Sequence, residues 1–280
     1  MNPAMRRSPV RSVLFAVAYY ALSIVYALAA AIAALAPGRG PVAAVLRFYT
    51  RRMLWAEHWI AGIKIDVKGE ERLPAGAFIV AAKHHSWGDG FVLFAHLDNL
   101  AFVAGDHLER IPLLKGVLAK LGAILVDNCG GPEARRALAE KAAAAHADGR
   151  RILIFPEGHL SKAGERFRYR TGVYYMYRDF NLPVVPVATN LGLFWPQQDF
   201  VKNAGRATVE FLDPIPTGLG RGEFLQRLEN AIETRSQELI AAVTGEPVRP
   251  SLLVPAPDEL ARAAMRPSPP AGEGVSEADG

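Results

Sequence analysis

The chain has 280 residues, 50% of them hydrophobic and 21% charged, with a net charge of +4 and one cysteine, Cys129. That length suits one large α/β domain or two small ones with a sizeable core, and the charge fraction excludes wholesale disorder. A single cysteine excludes a disulfide framework or a multi-cysteine zinc site and fits a reducing compartment.

Residues 1–64 hold eight basic residues against Glu57 alone, a local charge of +7 beside the most apolar part of the sequence. This pairing points to an anionic membrane surface rather than to nucleic acid. Residues 13–36 carry no charge. As a helix they reach about 36 Å, enough to cross a hydrocarbon core of about 30 Å. Arg6, Arg7 and Arg11 resemble the n-region of a secretory signal peptide, but the apolar stretch outruns the usual h-region. Arg39, Arg47, Arg51 and Arg52 follow it, so the positive-inside rule gives no orientation. Residues 41–62 form a second, amphipathic segment with Trp55 and Trp59. The two segments read as a helical hairpin or monotopic anchor over residues 1–61, with a single span as the alternative.

From residue 62 the pattern alternates short strands with helices. Strands are expected at 63–67, 77–82, 101–104, 123–126, 151–155, 183–188 and 207–212, and helices at 88–97, 111–121, 132–147 and 223–243. The alternation predicts a mixed, largely parallel sheet flanked by helices over residues 62–244, preceded by the membrane-anchoring hairpin. Residues 245–280, rich in Pro, Ala and Gly, read as a disordered tail with room for a short helix at 257–265.

Chemistry concentrates at strand ends, where sites of such sheets sit. In AAKHHSWGDG (81–90), His84 and Asp89 are an H-x4-D pair between a buried strand and a helix. A carboxylate holding one ring nitrogen leaves the other as a base. The competing reading is a helix start, with Ser86 as N-cap and Asp89 in a capping-box-like pair; His85 is the alternative ring. In RILIFPEGHLS (151–161), Glu157 sits at a strand end, as a ligand to hydroxyls or as an ordinary turn acid. LGAILVDNCGGPEARRA (121–137) ends a strand at Asp127, and its glycine loop enters a helix start that suits an anion. LPVVPVATNLGLFWP (182–196) is apolar enough for an acyl-chain groove, with core packing the default. GLGRG at 218–222 is a turn, and no G-x-S-x-G, H-E-x-x-H or C-x-x-C occurs.

In this order the clusters resemble the glycerophospholipid acyltransferase family. Its H-x4-D/E block, its block ending Gly-x-x-x-x-Asp-Arg, its F-P-E-G-T-R block and its V-P-V block correspond to His84 to Asp89, Gly122 to Asn128, Phe155 to Leu160, and Val185 to Val187. The match runs over about residues 60–243. The resemblance implies an acyltransferase that moves a fatty acyl group from acyl-CoA or acyl carrier protein to a lysolipid hydroxyl, most directly that of 1-acyl-sn-glycerol-3-phosphate. It implies His84 as general base oriented by Asp89, with Glu157, Gly158 and Asn128 at acceptor-binding positions. No metal or cofactor is implied, nor nucleic acid, and the catalytic domain would face the cytoplasm from the inner membrane. Three departures matter. The family's arginine after the block-two Asp is Asn128, its F-P-E-G-T-R threonine and arginine are His159 and Leu160, and a Lys-Arg pair falls near Gly105-Asp106. Arg168 and Arg170, or the helix start at residue 131, are the candidate substitutes for those phosphate-gripping cations. The losses leave room for a less anionic acceptor, such as lyso-ornithine lipid or a lysophospholipid, or for a non-catalytic lipid-binding homologue.

Overall fold

The computed structural model describes residues 5–105, 108, 110, 111, 114–126 and 132–264. Asp106, residues 127–131 with Asn128 and Cys129, and residues 265–280 lie outside the described residues.

A short strand β1 (Met5–Arg7) leads into α1 (Pro9–Ala33), whose Pro9 stands in the first turn, where its missing N–H is not needed. A turn joins α1 to α2 (Gly40–Ala56), which widens into a π turn over Glu57–Ala61. Gly62 closes the turn at φ 78°, and a Cβ there would meet Arg11 Nη1 at 2.6 Å, so only glycine fits this junction. The α/β domain follows: β2 (Ile63–Lys68), β3 (Ile79–Ala82), α3 (Gly88–His96), β4 (Leu100–Gly105), α4 (Leu114–Leu121), β5 (Ile124–Val126), α5 (Pro132–Ala147), β6 (Arg151–Ile154), β7 (Glu165–Arg166), α6 (Gly172–Phe180), β8 (Val184–Thr189), β9 (Asn203–Phe211), α7 (Arg221–Thr244), β10 (Leu252–Leu253) and α8 (Pro257–Ala264).

The main sheet runs β1-β9-β8-β3-β6-β4-β5, with β2 also on β9. β3 lies parallel between β6 and β8, β4 is parallel to β5 and β6, and β2 is parallel to β9. β9 and its parallel partner β2 run against the rest, β9 lying antiparallel to β8 and β1. The sheet is thus mixed and largely parallel, as the alternation predicts.

Strand β3 is buried on both faces, which is why it reads as an unbroken apolar run. Its residues still alternate. Phe78, Val80 and Ala82 join a cluster with Phe15, Met53 and Ala56 of the hairpin and Val92 and Leu93 of α3. Ile79 and Ala81 face the opposite cluster, with Ala142 of α5, Val173 and Tyr177 of α6, and Phe224, Leu228 and Ile232 of α7. The hairpin therefore forms one layer of the core; burying a side chain such as Phe15 stabilises it by about 1.5–3 kcal/mol. Outward, α1 exposes Val10, Leu14, Val17, Tyr20, Ile24 and Leu28. It is long and apolar enough to cross a membrane, and 11% of its most apolar window is buried inside the protein.

Two segments differ from expectation. Helix α6, which the pattern does not announce, carries three tyrosines, a residue type that favours strands by propensity, and packs them by tertiary contact. Within the expected tail, β10 pairs with β7 and α8 docks behind it, so residues 252–264 fold back onto the domain. Asp258 supplies the polar contact that composition conceals.

Candidate active site

Strand β3 delivers Lys83, His84 and His85 to its carboxyl end, and α3 begins three residues later. His84 Nδ1 lies 3.3 Å from Asp89 Oδ2. The same oxygen accepts the backbone N–H groups of His85 at 2.9 Å and Ser86 at 2.8 Å, while Ser86 Oγ accepts the Gly88 N–H at 3.0 Å. The residue that precedes α3 is Trp87 rather than the expected Ser86, but the Ser86 contacts of the helix-start reading coexist with the His–Asp pair and hold Asp89 in place to receive the imidazole. The position in the first turn of α3 also favours a negative charge.

The His84 ring stacks on Phe155, centroids 3.8 Å apart and 17° from parallel. Its side chain is 17% exposed, and Nε2 has no partner among the described residues. A carboxylate on Nδ1 keeps the proton there and leaves the Nε2 lone pair outward. His85 has no such access. It is 1% exposed, neither ring nitrogen has a partner among the described residues, and burial lowers its pKa to about 4.

Glu157, expected at an acceptor-binding position, lies wholly inside the fold. It is 0% exposed and both oxygens are engaged. Oε1 accepts the His84 N–H at 3.3 Å and lies 3.0 Å from Lys83 Nζ; Oε2 accepts the Phe167 N–H at 2.9 Å. Burial pushes its pKa up, and the Lys83 ammonium opposes that push. Glu157 thus supports the His84 backbone rather than lining a cleft. Lys83 was not singled out in the sequence, because one lysine after an apolar strand reads as a solvated strand end. It is 1% exposed and sits 3.0 Å from Glu233 Oε1 on α7, and it donates to the Glu165 carbonyl at 2.9 Å. Tyr169 OH donates to the same Glu233 oxygen at 2.9 Å. Its partners lie up to 150 residues away, beyond any local pattern.

The remaining candidates lie around the 155–161 turn, which is tied to His84 by the Ser161 N–H donating to the His84 carbonyl at 2.9 Å. Arg170 lies against Gly158, its Nε 3.1 Å from where a Cβ would be. Arg170 also pairs with Asp258 of α8, as does His159 Nε2 at 2.9 Å. Burial raises the Asp258 pKa, but the hydrogen bonds from Arg170 and His159 prevail and leave it lowered. Arg168 is exposed. Asn128 lies outside the described residues. In the fourth block β8 is buried throughout and forms core. Trp195 and Pro196 beyond it line a cavity of about 460 Å³ against Ser12, Phe15 and Tyr19 of α1. A second, more apolar cavity of about 350 Å³ runs between the hairpin and α4, past Tyr26, Ala30, Val42, Leu46 and Val117.

The sequence model of the acyltransferase family matches residues 64–190, from β2 through β8. A 1-acyl-sn-glycerol-3-phosphate acyltransferase of Pseudomonas aeruginosa is 28% identical over 236 residues, covering 82% of this chain and 91% of that protein. The enzyme of the same name from Borreliella burgdorferi is 31% identical over 147 residues, covering 52% of this chain and 57% of that protein. The crystal structure of the 1-acyl-sn-glycerophosphate acyltransferase of Thermotoga maritima superposes with a TM-score of 0.68 at 22% identity, over 83% of this chain and 97% of that one, and so shares the fold. The acyltransferase profile over residues 64–190, the relatives and the fold, arranged around a His–Asp pair at a strand end, identify an acyltransferase that resembles the glycerophospholipid acyltransferases.

Proposed function

We propose that the protein acylates the free hydroxyl of 1-acyl-sn-glycerol-3-phosphate at a membrane surface, using acyl-CoA or acyl carrier protein as donor and giving phosphatidate. The carrying observation is the His84–Asp89 pair, with Nε2 open and Nδ1 held at 3.3 Å. His84 Nε2 takes the proton of the acceptor hydroxyl as its oxygen attacks the thioester carbon. The tetrahedral intermediate collapses, the C–S bond breaks, and the imidazolium returns the proton to the leaving thiolate. Asp89 stabilises the imidazolium between these steps. The Lys83–Glu157 pair holds the His84 backbone while the proton moves.

The acceptor follows from the names of the relatives, and the bilayer from α1. Its exposed apolar face, with Trp55 and Trp59 nearby on α2 and the π turn, suits a hairpin seated in one leaflet. Residues 1–61 would then anchor the acyltransferase domain of residues 62–244 at the inner membrane, facing the cytoplasm, where both donors are found. A less anionic acceptor is the second reading. Arg170 already answers Asp258, which leaves Arg168 as the exposed arginine of the pair.

Purified full-length protein in lipid nanodiscs, given labelled acyl-CoA or acyl carrier protein and a panel of lysolipids, tests both. Preferred turnover of lysophosphatidate is expected. A preference for lyso-ornithine lipid or lysophosphatidylethanolamine would move the acceptor to the second reading, and no turnover on any acceptor would overturn the proposal.

A further inference from the structure

The end of the hairpin brings a second carboxyl to Asp89. Glu57 opens the π turn after α2, is 0% exposed, and neither of its oxygens has a hydrogen-bond partner among the described residues. It lies against the backbone that carries Asp89. A Cβ on Gly88 would sit 2.9 Å from Glu57 Oε1, 2.8 Å from Leu191 and 3.0 Å from Trp195, so glycine at 88 is what admits the carboxyl this close. Asp89 has the complementary deficit. Its Oδ2 has three partners, whereas Oδ1 is buried with none among the described residues.

Two ionised carboxylates sharing a dry pocket are strongly disfavoured, and one of them keeps its proton. Asp89 collects two backbone N–H groups and an imidazole, so its charge is the supported one. Glu57 has no such support. Arg11 of α1 donates to the Trp59 and Ile60 carbonyls, Arg51 and Arg52 of α2 and Lys64 of β2 are exposed, and Asp66 faces Arg206. His58 meets Trp59 edge to face, His85 is buried, and the 191–195 turn carries no charged residue. Burial first, and the Asp89 charge second, push the Glu57 carboxyl well above the carboxylate range.

We propose that Glu57 is a positioning residue: a neutral carboxylic acid, presented by the hairpin, whose O–H serves Asp89 Oδ1 and so fixes the carboxylate that orients His84. The kinetic consequence rests on the acyl-transfer reading above; the protonation state does not. The seating of the hairpin on the sheet thereby sets the aim of the base.

Two measurements on the full-length protein in nanodiscs test this. Infrared spectra at neutral pH are expected to show a protonated-carboxyl stretch that Glu57→Gln lacks; identical spectra overturn the proposal whatever the substrate. In the acylation assay, Glu57→Met is expected to lose about tenfold in kcat with both KM values unchanged, and Glu57→Gln to stay within about twofold of wild type with the acid limb of its pH–rate profile unmoved. A Met variant as fast as wild type, or a Gln variant whose acid limb moves down as if a negative charge had gone, also overturns it. If Glu57→Met does not fold, the infrared comparison still decides. Wild type inactive on every acceptor refutes the acylation reading alone and leaves the infrared result standing.

Discussion

On the α7 side of His84, Lys83 meets Glu157, Glu233 and the Glu165 carbonyl, and Tyr169 hydrogen-bonds Glu233. On the hairpin side, Glu57, His85 and Asp89 Oδ1 are equally buried, yet five of their polar atoms have no partner among the described residues. The two pockets flank one loop and solve burial differently. The first keeps its charges and neutralises them pairwise, at a desolvation cost that makes it a source of geometry more than of net stability. The second keeps neutral forms, a carboxylic acid and an imidazole, whose proton content answers to pH. The His84 ring stands between a fixed support and a titratable one.

The comparison breaks first if His84 is not the pivot. His84→Ala is expected to lose about a thousandfold in kcat with the fold intact by circular dichroism, the range for a lost general base; turnover near wild type would move the chemistry elsewhere. Lys83→Met tests the paired side. It leaves two buried carboxylates without their cation and is expected to destabilise by about 3–5 kcal/mol in denaturant titration, with Glu157→Gln and Glu233→Gln in the same chain recovering much of the loss. A marginal effect of Lys83→Met alone would show that this pocket is wetter than its burial indicates.

The neutral side is sharpened by pH. His85 has a pKa of about 4 in the fold against an ordinary 6.5, so between those values the unfolded chain binds more protons. Stability therefore falls as pH drops through that window, by roughly 3 kcal/mol in all, and rises back as pH increases. Melts of wild type and His85→Asn across the window check this; parallel curves would show that His85 is not buried neutral. The smallest effect belongs to the α8 clasp. Asp258→Asn weakens two charge-assisted contacts at about 1 kcal/mol and is expected to speed hydrogen exchange in residues 252–264, with the sheet unchanged.

How much of this is legible in the sequence depends on where the partners lie. Strands β3, β4, β5, β6 and β8 are largely apolar runs bounded by loops, a signal that a doubly covered sheet writes into each segment, while β2 alternates with Lys64 and Asp66. His84 and Asp89 are five positions apart, so their pairing is a local property of a strand–helix corner. Glu157 reads from the sequence as a strand-end acid, but nothing near it announces that Lys83 arrives from another strand. Glu57 stands out in composition as the lone acid among eight basic residues, and only packing reveals that it lies against Gly88, the residue before Asp89. Asp258 sits in text whose composition reads as tail; its two cationic partners are 88 and 99 residues upstream.

The attachment of the hairpin has a mechanical consequence. Strand β1 before it and β2 after it both pair with β9, and Gly205 stands opposite both Met5 and Ile63. Two clamps on one rail permit no swivel, so the apolar helices are a chassis rather than a leash. Cutting them away to obtain a water-soluble fragment would strip the cover from Phe78, Val80 and Ala82 and unroof the sheet. If the hairpin beds in a bilayer, the tilt of the sheet against it is set by the hydrogen bonds along that rail.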